Sequence, residues 1–305
     1  MFGPFCAFMS AVTWAVGSTA YSRLARGHSA FAVCFARASV ALPFFIFFAV
    51  VSEGGLTQAL GAYGAVTVKD LSWLAVSILS SYGLGDVLFM WATRSLGVPA
   101  ALAIGSIYPI LTAGWGVLFQ GEVLNSVQCV GLGVTVAGVI TVILSQSEPT
   151  PASSEGAHAA PAHLTRKRNG VLLAFGAAIA WAFNAIGTAR GGQHLNPMVG
   201  NTFRMIFALG MTVGFGRLFA PGSEITLPWR VIKKNIPLFV FEAFGGSAFF
   251  MYGLAHSSLA VGSTLSSLAP VLSVPVAWFL GMERFSLPRT VGVCSVVFGL
   301  WLLVL

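Results

Sequence analysis

Charged residues are scarce in this chain of 305 residues. Asp, Glu, Lys and Arg together make up 8% of the sequence, against about 25% in an ordinary soluble domain. Hydrophobic residues, in contrast, make up 56%. This composition excludes a water-soluble fold. Because a bilayer core needs about 20 apolar residues per helical span, a chain of this length can hold about ten spans with short connections.

Patterns typical of catalysis, metal binding and disulfide formation are also missing from the sequence. The four cysteines lie inside apolar runs and form no Cys-x-x-Cys motif. The five histidines are scattered at loops and span ends, so we expect no metal site and no cofactor. No P-loop for a nucleotide is present either. We therefore expect a protein that is not an enzyme.

The formal net charge of +7 has a membrane explanation. The basic residues flank the apolar runs, where they fix the orientation of helices in a bilayer. We therefore expect the lipid bilayer as a partner, and no nucleic acid.

The apolar residues form ten continuous runs, which favour membrane helices over the short alternating strands of a barrel. The predicted spans cover residues 2–22, 30–51, 71–92, 98–119, 126–144, 170–189, 197–219, 236–254, 259–280 and 289–305. Between the fifth and sixth spans lies a polar, proline-containing segment, residues 146–169, which is typical of a linker.

The two halves of the chain resemble each other, which predicts an internal repeat. A shift of 167 residues brings Trp14 onto Trp181 and Arg37 onto Arg204, and a shift of 161 brings later positions together. The later pairs include Gly85 with Gly246, Pro109 with Pro270, Glu122 with Glu283, Gly131 with Gly292 and Gly138 with Gly299. We predict a five-helix repeat over 1–145, a cytoplasmic linker over 146–169 and a second five-helix repeat over 170–305.

The distribution of basic residues predicts that the second repeat is inverted in the membrane. If the N-terminus is outside, twelve of the sixteen Lys and Arg residues fall in cytoplasmic loops and only Lys69 and Arg190 in outer loops. The fold expected is therefore an all-α membrane protein of ten transmembrane helices in two inverted repeats. Both termini lie outside, in a plasma membrane such as the inner membrane of a bacterium.

Four ionisable residues lie within predicted spans: Arg37, Asp86, Arg204 and Glu242. Each costs at least ~2.5 kcal/mol at mid-membrane unless it is paired or hydrated, so each is a candidate functional residue. We expect Arg37 to pair with Asp86 or Glu242. In the alternative, both arginines cap backbone carbonyls. Asp86 has Ser247 as its repeat counterpart, and this asymmetry makes it the candidate for proton coupling.

The predicted site lies between the repeats, where interrupted helices line a cavity. Pro109 and Pro270 interrupt the fourth and ninth spans and follow Ser106 and Ser267, although an ordinary packing kink explains them as well. Trp14 and Trp181 lie in mid-span, with Asn184 one turn further along. These three are candidates for cavity walls, with core packing as the alternative.

Tyr82 and Asp86 belong to the segment Tyr-Gly-Leu-Gly-Asp, and Gly-x-Gly-Asp within a span is the signature of intramembrane aspartyl proteases. That chemistry needs two aspartates that share a proton. The only other aspartate is Asp70, about 24 Å away along the same helix at 1.5 Å per residue. The protease interpretation is therefore disfavoured.

The combined pattern resembles the EamA-type transporters of the drug/metabolite transporter superfamily. The residues that carry the resemblance are Trp14, Trp181, Arg37, Arg204, the stretch from Pro109 to Glu122 with Gly131 and Gly138, and its repeat from Pro270 to Glu283 with Gly292 and Gly299. The resemblance implies a carrier with a central cavity that moves small molecules, namely amino acids, related metabolites or drugs. We expect an exporter or facilitator of amino acids or related compounds that works by alternating access. The paired glycines suit close packing of the fifth and tenth spans or a dimer face, so a monomer and a homodimer both remain open.

Overall fold

The structure is a computed structural model that describes residues 2–96, 98–121, 123–144, 160–269, 271–272 and 287–304. The helices before residue 145 are α1 (Phe2–Gly27), α2 (Ala30–Ser52), α3 (Leu56–Gly64), α4 (Val68–Ile78), α5 (Asp86–Leu96), α6 (Val98–Gly105), α7 (Tyr108–Gln120) and α8 (Ser126–Leu144). Those after residue 159 are α9 (Ala160–Gly192), α10 (Pro197–Phe219), α11 (Trp229–Leu238), α12 (Ser247–Ala255), α13 (Leu259–Ser266) and α14 (Leu287–Val304). Two π-helical segments, π1 (Leu79–Gly85) and π2 (Phe239–Gly246), join α4 to α5 and α11 to α12.

Five helical stretches in the described part of the chain are long and apolar enough to cross a membrane. They are Ala30–Ser52, Val68–Leu96, Arg168–Gly192, Pro197–Phe219 and Trp229–Ala255. In hydrocarbon only a helix or a closed barrel satisfies every backbone polar group, which explains why these apolar runs are helical throughout. The chain is an integral membrane protein with an all-helical architecture over the described ranges.

Local sequence signals define several helix ends. Thr67 and Asp70 form a capping box at the start of α4, in which each side chain accepts a hydrogen bond from the other residue's backbone N–H. Asn196 caps α10, whose first residue is a proline that needs no backbone partner there. Gly121 adopts a left-handed conformation, with φ of 68°, at the end of α7.

The two π-helical segments occupy equivalent places in the two halves, each directly before a helix that contributes to the protein centre. Both end in a glycine that lies close to a helix of the opposite half. A Cβ on Gly85 would lie 2.7 Å from the indole Cδ1 of Trp181, and one on Gly246 would meet the Thr13 hydroxyl. Glycine at these positions therefore lets the π turns pack directly against α9 and α1.

Helices of the first half pack against helices of the second half in reciprocal pairs. The main contacts join α2 to α10, α8 to α14, α1 to α12, and both α4 and α5 to α9. The contact between α8 and α14 is made by glycines. A Cβ on Gly138 would lie 2.7 Å from the Gly292 carbonyl oxygen, and one on Gly299 would lie 2.7 Å from that of Gly131. Contacts between small residues of this kind bring membrane helices close together.

Several element boundaries differ from the sequence prediction. Helix α9 begins at Ala160, ten residues before the predicted start of the sixth span, so the predicted linker 146–169 ends in helix. Its proline, Pro161, lies in the first turn, where proline is tolerated. Residues 145–159, Pro270, Glu122 and Glu283 lie outside the described residues.

Candidate functional site

A cavity lies at the centre of the protein and receives side chains from both halves. Its volume is about 90 Å³, enough for roughly six water molecules at ~15 Å³ of accessible volume each. Its polar lining residues are Ser10, Thr13, Arg37, Ser81, Tyr82, Asp86, Ser106, Tyr108, Asn184, Arg204, Glu242, Ser247, Ser266 and Ser267. Its remaining lining residues are Trp14, Trp181, Gly246, Phe250 and Ala269.

The cavity contains a three-residue ion cluster built around Arg37, which is 2% exposed. The Arg37 Nη1 atom donates to Asp86 Oδ2 at 2.6 Å. Its Nη2 atom donates to both carboxylate oxygens of Glu242, at 3.1 and 3.0 Å. Both carboxylates that the sequence offered as alternatives therefore bind the same guanidinium.

Further side chains bind the two carboxylates of this cluster, whereas the buried Nε atom of Arg37 has no hydrogen-bond partner among the described residues. The Tyr21 hydroxyl donates to Glu242 Oε2 at 2.6 Å, and the indole Nε1 of Trp181 donates to Asp86 Oδ1 at 2.9 Å. The Arg37 guanidinium also lies 4.2 Å from the ring centres of both Tyr21 and Tyr82. Each carboxylate oxygen thus accepts at least one hydrogen bond, which a buried ion pair requires if it is to offset the loss of hydration.

Arg204, the repeat counterpart of Arg37, has an entirely different environment. It is also 2% exposed, but its three hydrogen bonds go to uncharged oxygens. The acceptors are Ser77 Oγ at 3.0 Å, Asn201 Oδ1 at 2.8 Å and Asn184 Oδ1 at 2.9 Å. In the described part of the chain, no carboxylate accepts a hydrogen bond from this guanidinium. Neither arginine caps a backbone carbonyl in that part, so the capping alternative is wrong for both.

The two tryptophans of the repeat meet across the cavity. Their rings are perpendicular, with centroids 5.8 Å apart, and Phe89 packs against both, at 5.8 Å from Trp14 and 5.5 Å from Trp181. The Tyr108 ring also packs against Trp181, with centroids 6.5 Å apart. The tryptophans are therefore both packing residues and part of the cavity wall.

Breaks in two helices place small polar groups on the cavity. The fourth predicted span divides into α6 and α7 at Ser106 and Ile107, and α13 ends at Ser266 in the corresponding region. Tyr108 at the start of α7 donates its hydroxyl hydrogen to the Ser263 carbonyl at 2.9 Å, which joins the two broken regions. The breaks leave Ser106 and Ser267 lining the cavity.

Most side chains proposed from the sequence converge on this cavity. Trp14, Tyr82, Ser106, Trp181, Asn184 and Ser267 line it together with the four intramembrane charged residues. Pro109 is buried in the first turn of α7 and is not among the residues that line the cavity, unlike its neighbour Tyr108. Pro270 lies outside the described residues.

Several polar residues that bind the charged groups are not among those predicted from the sequence. Tyr21, Ser77 and Asn201 hydrogen-bond to Glu242 or Arg204, and Tyr108 lines the cavity. One helical periodicity could have revealed part of the site. Ser10, Thr13, Trp14 and Gly17 follow the 3–4–7 spacing of one face of α1.

A second cavity, of about 330 Å³, lies where α7 and α9 end and α13 begins. It is lined by Phe119, Gln120, Ala189, Arg190, Gln193, Leu254, Ala255, Ser257 and Leu259. Although it is larger, it lies among helix ends and its lining contains a single charged residue. The central cavity is the candidate site because four buried charges meet there.

The protease interpretation finds no support in the position of the second aspartate. Asp70 is bound to Thr67 in the capping box at the exposed start of α4. Asp86 lies at the far end of π1, bound to Arg37 and Trp181. The two aspartates therefore do not form the proton-sharing pair that this chemistry requires.

Comparisons with known proteins agree with this architecture. The structure resembles a solved structure described only as the crystal structure of a protein, with a TM-score of 0.70 and 15% sequence identity. The match covers 98% of this chain and 94% of the other, and at that identity it shows a shared fold alone. No curated protein matches the chain significantly. The model of the EamA-like transporter family matches residues 1–144 and 168–305, nearly the whole length in two copies, so the chain belongs to the EamA-like transporter family.

Proposed function

We propose that the protein is a carrier that moves small metabolites across the membrane by alternating access. The observation that carries the proposal is the central cavity, which is lined by buried charges and aromatic rings from both halves of the chain. Buried ionisable residues in a membrane protein are expensive and mark substrate or ion pathways. A cavity between two halves can open to either side when those halves rock against each other.

The same proposal includes ten membrane-spanning helices in two inverted five-helix repeats. Support comes from the reciprocal packing of α2 with α10 and of α8 with α14, and from the matched positions of π1 and π2. From the distribution of basic residues we further propose that both termini lie outside, and we propose the inner membrane of a bacterium as the location. A C-terminal fusion to a fluorescent protein that folds only in the cytoplasm should be dark, and a fluorescent fusion would contradict this orientation.

Amino acids or related compounds are the substrates we propose, moved outward or down their gradient. The family resemblance supports this class, and the cavity offers aromatic surface beside polar groups. Trp14, Trp181 and Phe250 supply apolar contacts, while serines supply hydrogen bonds.

Asp86 is the residue we propose to couple transport to protons. Its counterpart in the second half is Ser247, so the two halves differ in charge at this position. The charged and titratable groups around the Asp86 site are Arg37 from α2, Tyr21 from α1, Tyr82 from π1, Glu242 from π2 and Arg204 from α10. Protonation of Asp86 would break its pairing with Arg37 and so change the contact between α2 and α5.

Purified protein in proteoliposomes tests both proposals. We expect saturable uptake of labelled amino acids that an imposed pH gradient stimulates in the wild type but not in Asp86→Asn. Asp70→Asn is the matched control, because it makes the same change on the same helical run outside the cavity. No saturable uptake of any amino-acid or metabolite pool would contradict the carrier. An Asp86→Asn protein that responds to the pH gradient like wild type would contradict proton coupling alone.

A further inference from the structure

The cavity contains a buried cation with unused hydrogen-bond donors. A guanidinium has five N–H groups, and the three bonds of Arg204 use one from each nitrogen. Within the described residues, this leaves one N–H on each terminal nitrogen without an acceptor. Arg204 also lines the cavity, so a ligand there can reach the guanidinium.

Arg204 lacks the directly bound carboxylates that Arg37 has. Two carboxylates bind Arg37, and their four oxygen atoms receive hydrogen bonds from Arg37, Tyr21 and Trp181. Arg204 has only the oxygens of two amides and a hydroxyl. The Arg37 cluster contains one guanidinium and two carboxylates, so Arg204 supplies the second cation that balances the four charges of the cavity. Arg204 is nevertheless held only by neutral groups, without a direct ion pair in the described part of the chain.

A buried guanidinium with spare donors matches one ligand chemistry best. Its planar, delocalised cation forms paired, charge-assisted hydrogen bonds with a carboxylate, and these are about twice as strong as neutral ones. A neutral or a cationic ligand would not give this guanidinium the direct ion pair that it lacks.

We propose that Arg204 is the anion-binding residue of the cavity and that the substrate carries a carboxylate that Arg204 recognises. This inference rests on the proposed carrier function and narrows its substrates to small organic anions and zwitterions. The neighbouring polar groups then have a definite role. Ser77, Asn184 and Asn201 hold the guanidinium in place without neutralising it.

A substitution at Asn184 can place a carboxylate of the protein where the carboxylate of a ligand would bind Arg204. Asn184 Oδ1 lies 2.9 Å from Arg204 Nη2, and every hydrogen bond that the Asn184 side chain makes within the described residues involves that oxygen. Asn184→Asp therefore keeps the shape and the acceptor and adds a carboxylate next to the cation. We expect this variant to fold as well as the wild type, because the new charge is paired at once.

The test uses matched probe pairs in which an uncharged amide replaces the carboxylate: propionate with propionamide, phenylacetate with phenylacetamide, and phenylalanine with phenylalaninamide. Binding to the purified full-length protein is measured by the ligand-induced rise in melting temperature and by calorimetry. We expect the carboxylate to bind at least about tenfold more tightly than the amide in one or more pairs, as charge-assisted hydrogen bonds imply.

Three variants assign the preference to Arg204. Arg204→Gln and Asn184→Asp should both lose the preference for the carboxylate over the amide. The first variant removes the cation, and the second pairs the cation with a carboxylate of the protein. Arg217→Gln should keep the preference, because Arg217 lies exposed on the same helix. Asn184→Asp remains informative if Arg204→Gln does not fold.

Equal binding of carboxylate and amide, no binding of any carboxylate probe, or an unchanged preference in Asn184→Asp would overturn the inference. These results are distinguishable from failure of the carrier proposal. If the protein transports substrates in proteoliposomes but binds carboxylate and amide equally, the carrier proposal stands and the proposed role of Arg204 is wrong. If it binds the carboxylate preferentially but transports nothing, the role of Arg204 stands and the carrier proposal is wrong.

Discussion

Replacing Arg37 by methionine is the most informative perturbation of the ion cluster. The change removes all three hydrogen bonds to Asp86 and Glu242, which are 3% and 6% exposed. Trp181 and Tyr21 then remain as donors to two uncompensated carboxylates. Breaking a buried pair in this way destabilises a protein by about 3–5 kcal/mol. At ~2–4 °C per kcal/mol, we expect the melting temperature in detergent to fall by at least about 6 °C.

Two control variants distinguish destabilisation caused by the loss of the Arg37 charge from destabilisation caused by the loss of the side chain itself. Arg217→Met makes the same substitution at an exposed position of α10 and should leave the melting temperature nearly unchanged. The triple variant Arg37→Met, Asp86→Asn, Glu242→Gln removes all three charges and should recover most of the loss. If the triple variant is no more stable than Arg37→Met, the destabilisation does not come from uncompensated charge and the reasoning is refuted.

Three further predictions concern packing around the cavity. Trp181→Phe removes the indole donor to Asp86 but keeps an aromatic ring, so it should lower stability by about 1.5–3 kcal/mol in equilibrium unfolding, against a smaller loss for Phe89→Leu. Gly138→Leu should separate α8 from α14 and lower the yield of folded protein in gel filtration. Gly133→Leu, where nothing lies within 4 Å of an added Cβ, should behave like wild type. Gly246→Val should push π2 away from Thr13 on α1 and lower the melting temperature by several degrees, whereas Gly210→Val on α10 has open space and should cost less.

The site residues that could be predicted from the sequence belong to residue types that are rare in membrane spans. Arg37, Asp86, Arg204 and Glu242 stand out because a charge is costly in hydrocarbon wherever it faces. The sequence also indicated two partners for Arg37, but the choice between them depended on how α2, α5 and π2 come together. The structure brings both carboxylates to the same guanidinium.

Uncharged polar residues were harder to assign. Ser77 and Asn201 have no distinguishing pattern, because serine and asparagine in a span also bond to their own helix. Tyr21 has none either, because a tyrosine in a span is also an ordinary packing residue. Their roles depend on contacts between residues far apart in the chain, such as Tyr21 with Glu242. The π-helical segments were missed for a related reason. An apolar run has the same composition whether its helix is α or π, so only packing reveals the difference.

The prediction of helix ends failed where polar sequence continues a membrane helix. The residues from Ala160 to Asn169 read as linker because they are polar, yet α9 includes them. Hydropathy marks where a helix leaves the bilayer, and it does not mark where the helix ends.

We propose that one cavity opens alternately to the two sides of the membrane. The decisive experiment places a single cysteine at Ser106 or at Ser267, which line the cavity from equivalent places in the two halves. The four native cysteines are first replaced by alanine. A membrane-impermeant thiol reagent is then applied to one side of oriented vesicles at a time. Alternating access predicts modification of each cysteine from both sides, and slower modification when a carboxylate ligand is present. Modification from one side only, under every condition of pH and ligand, would contradict it.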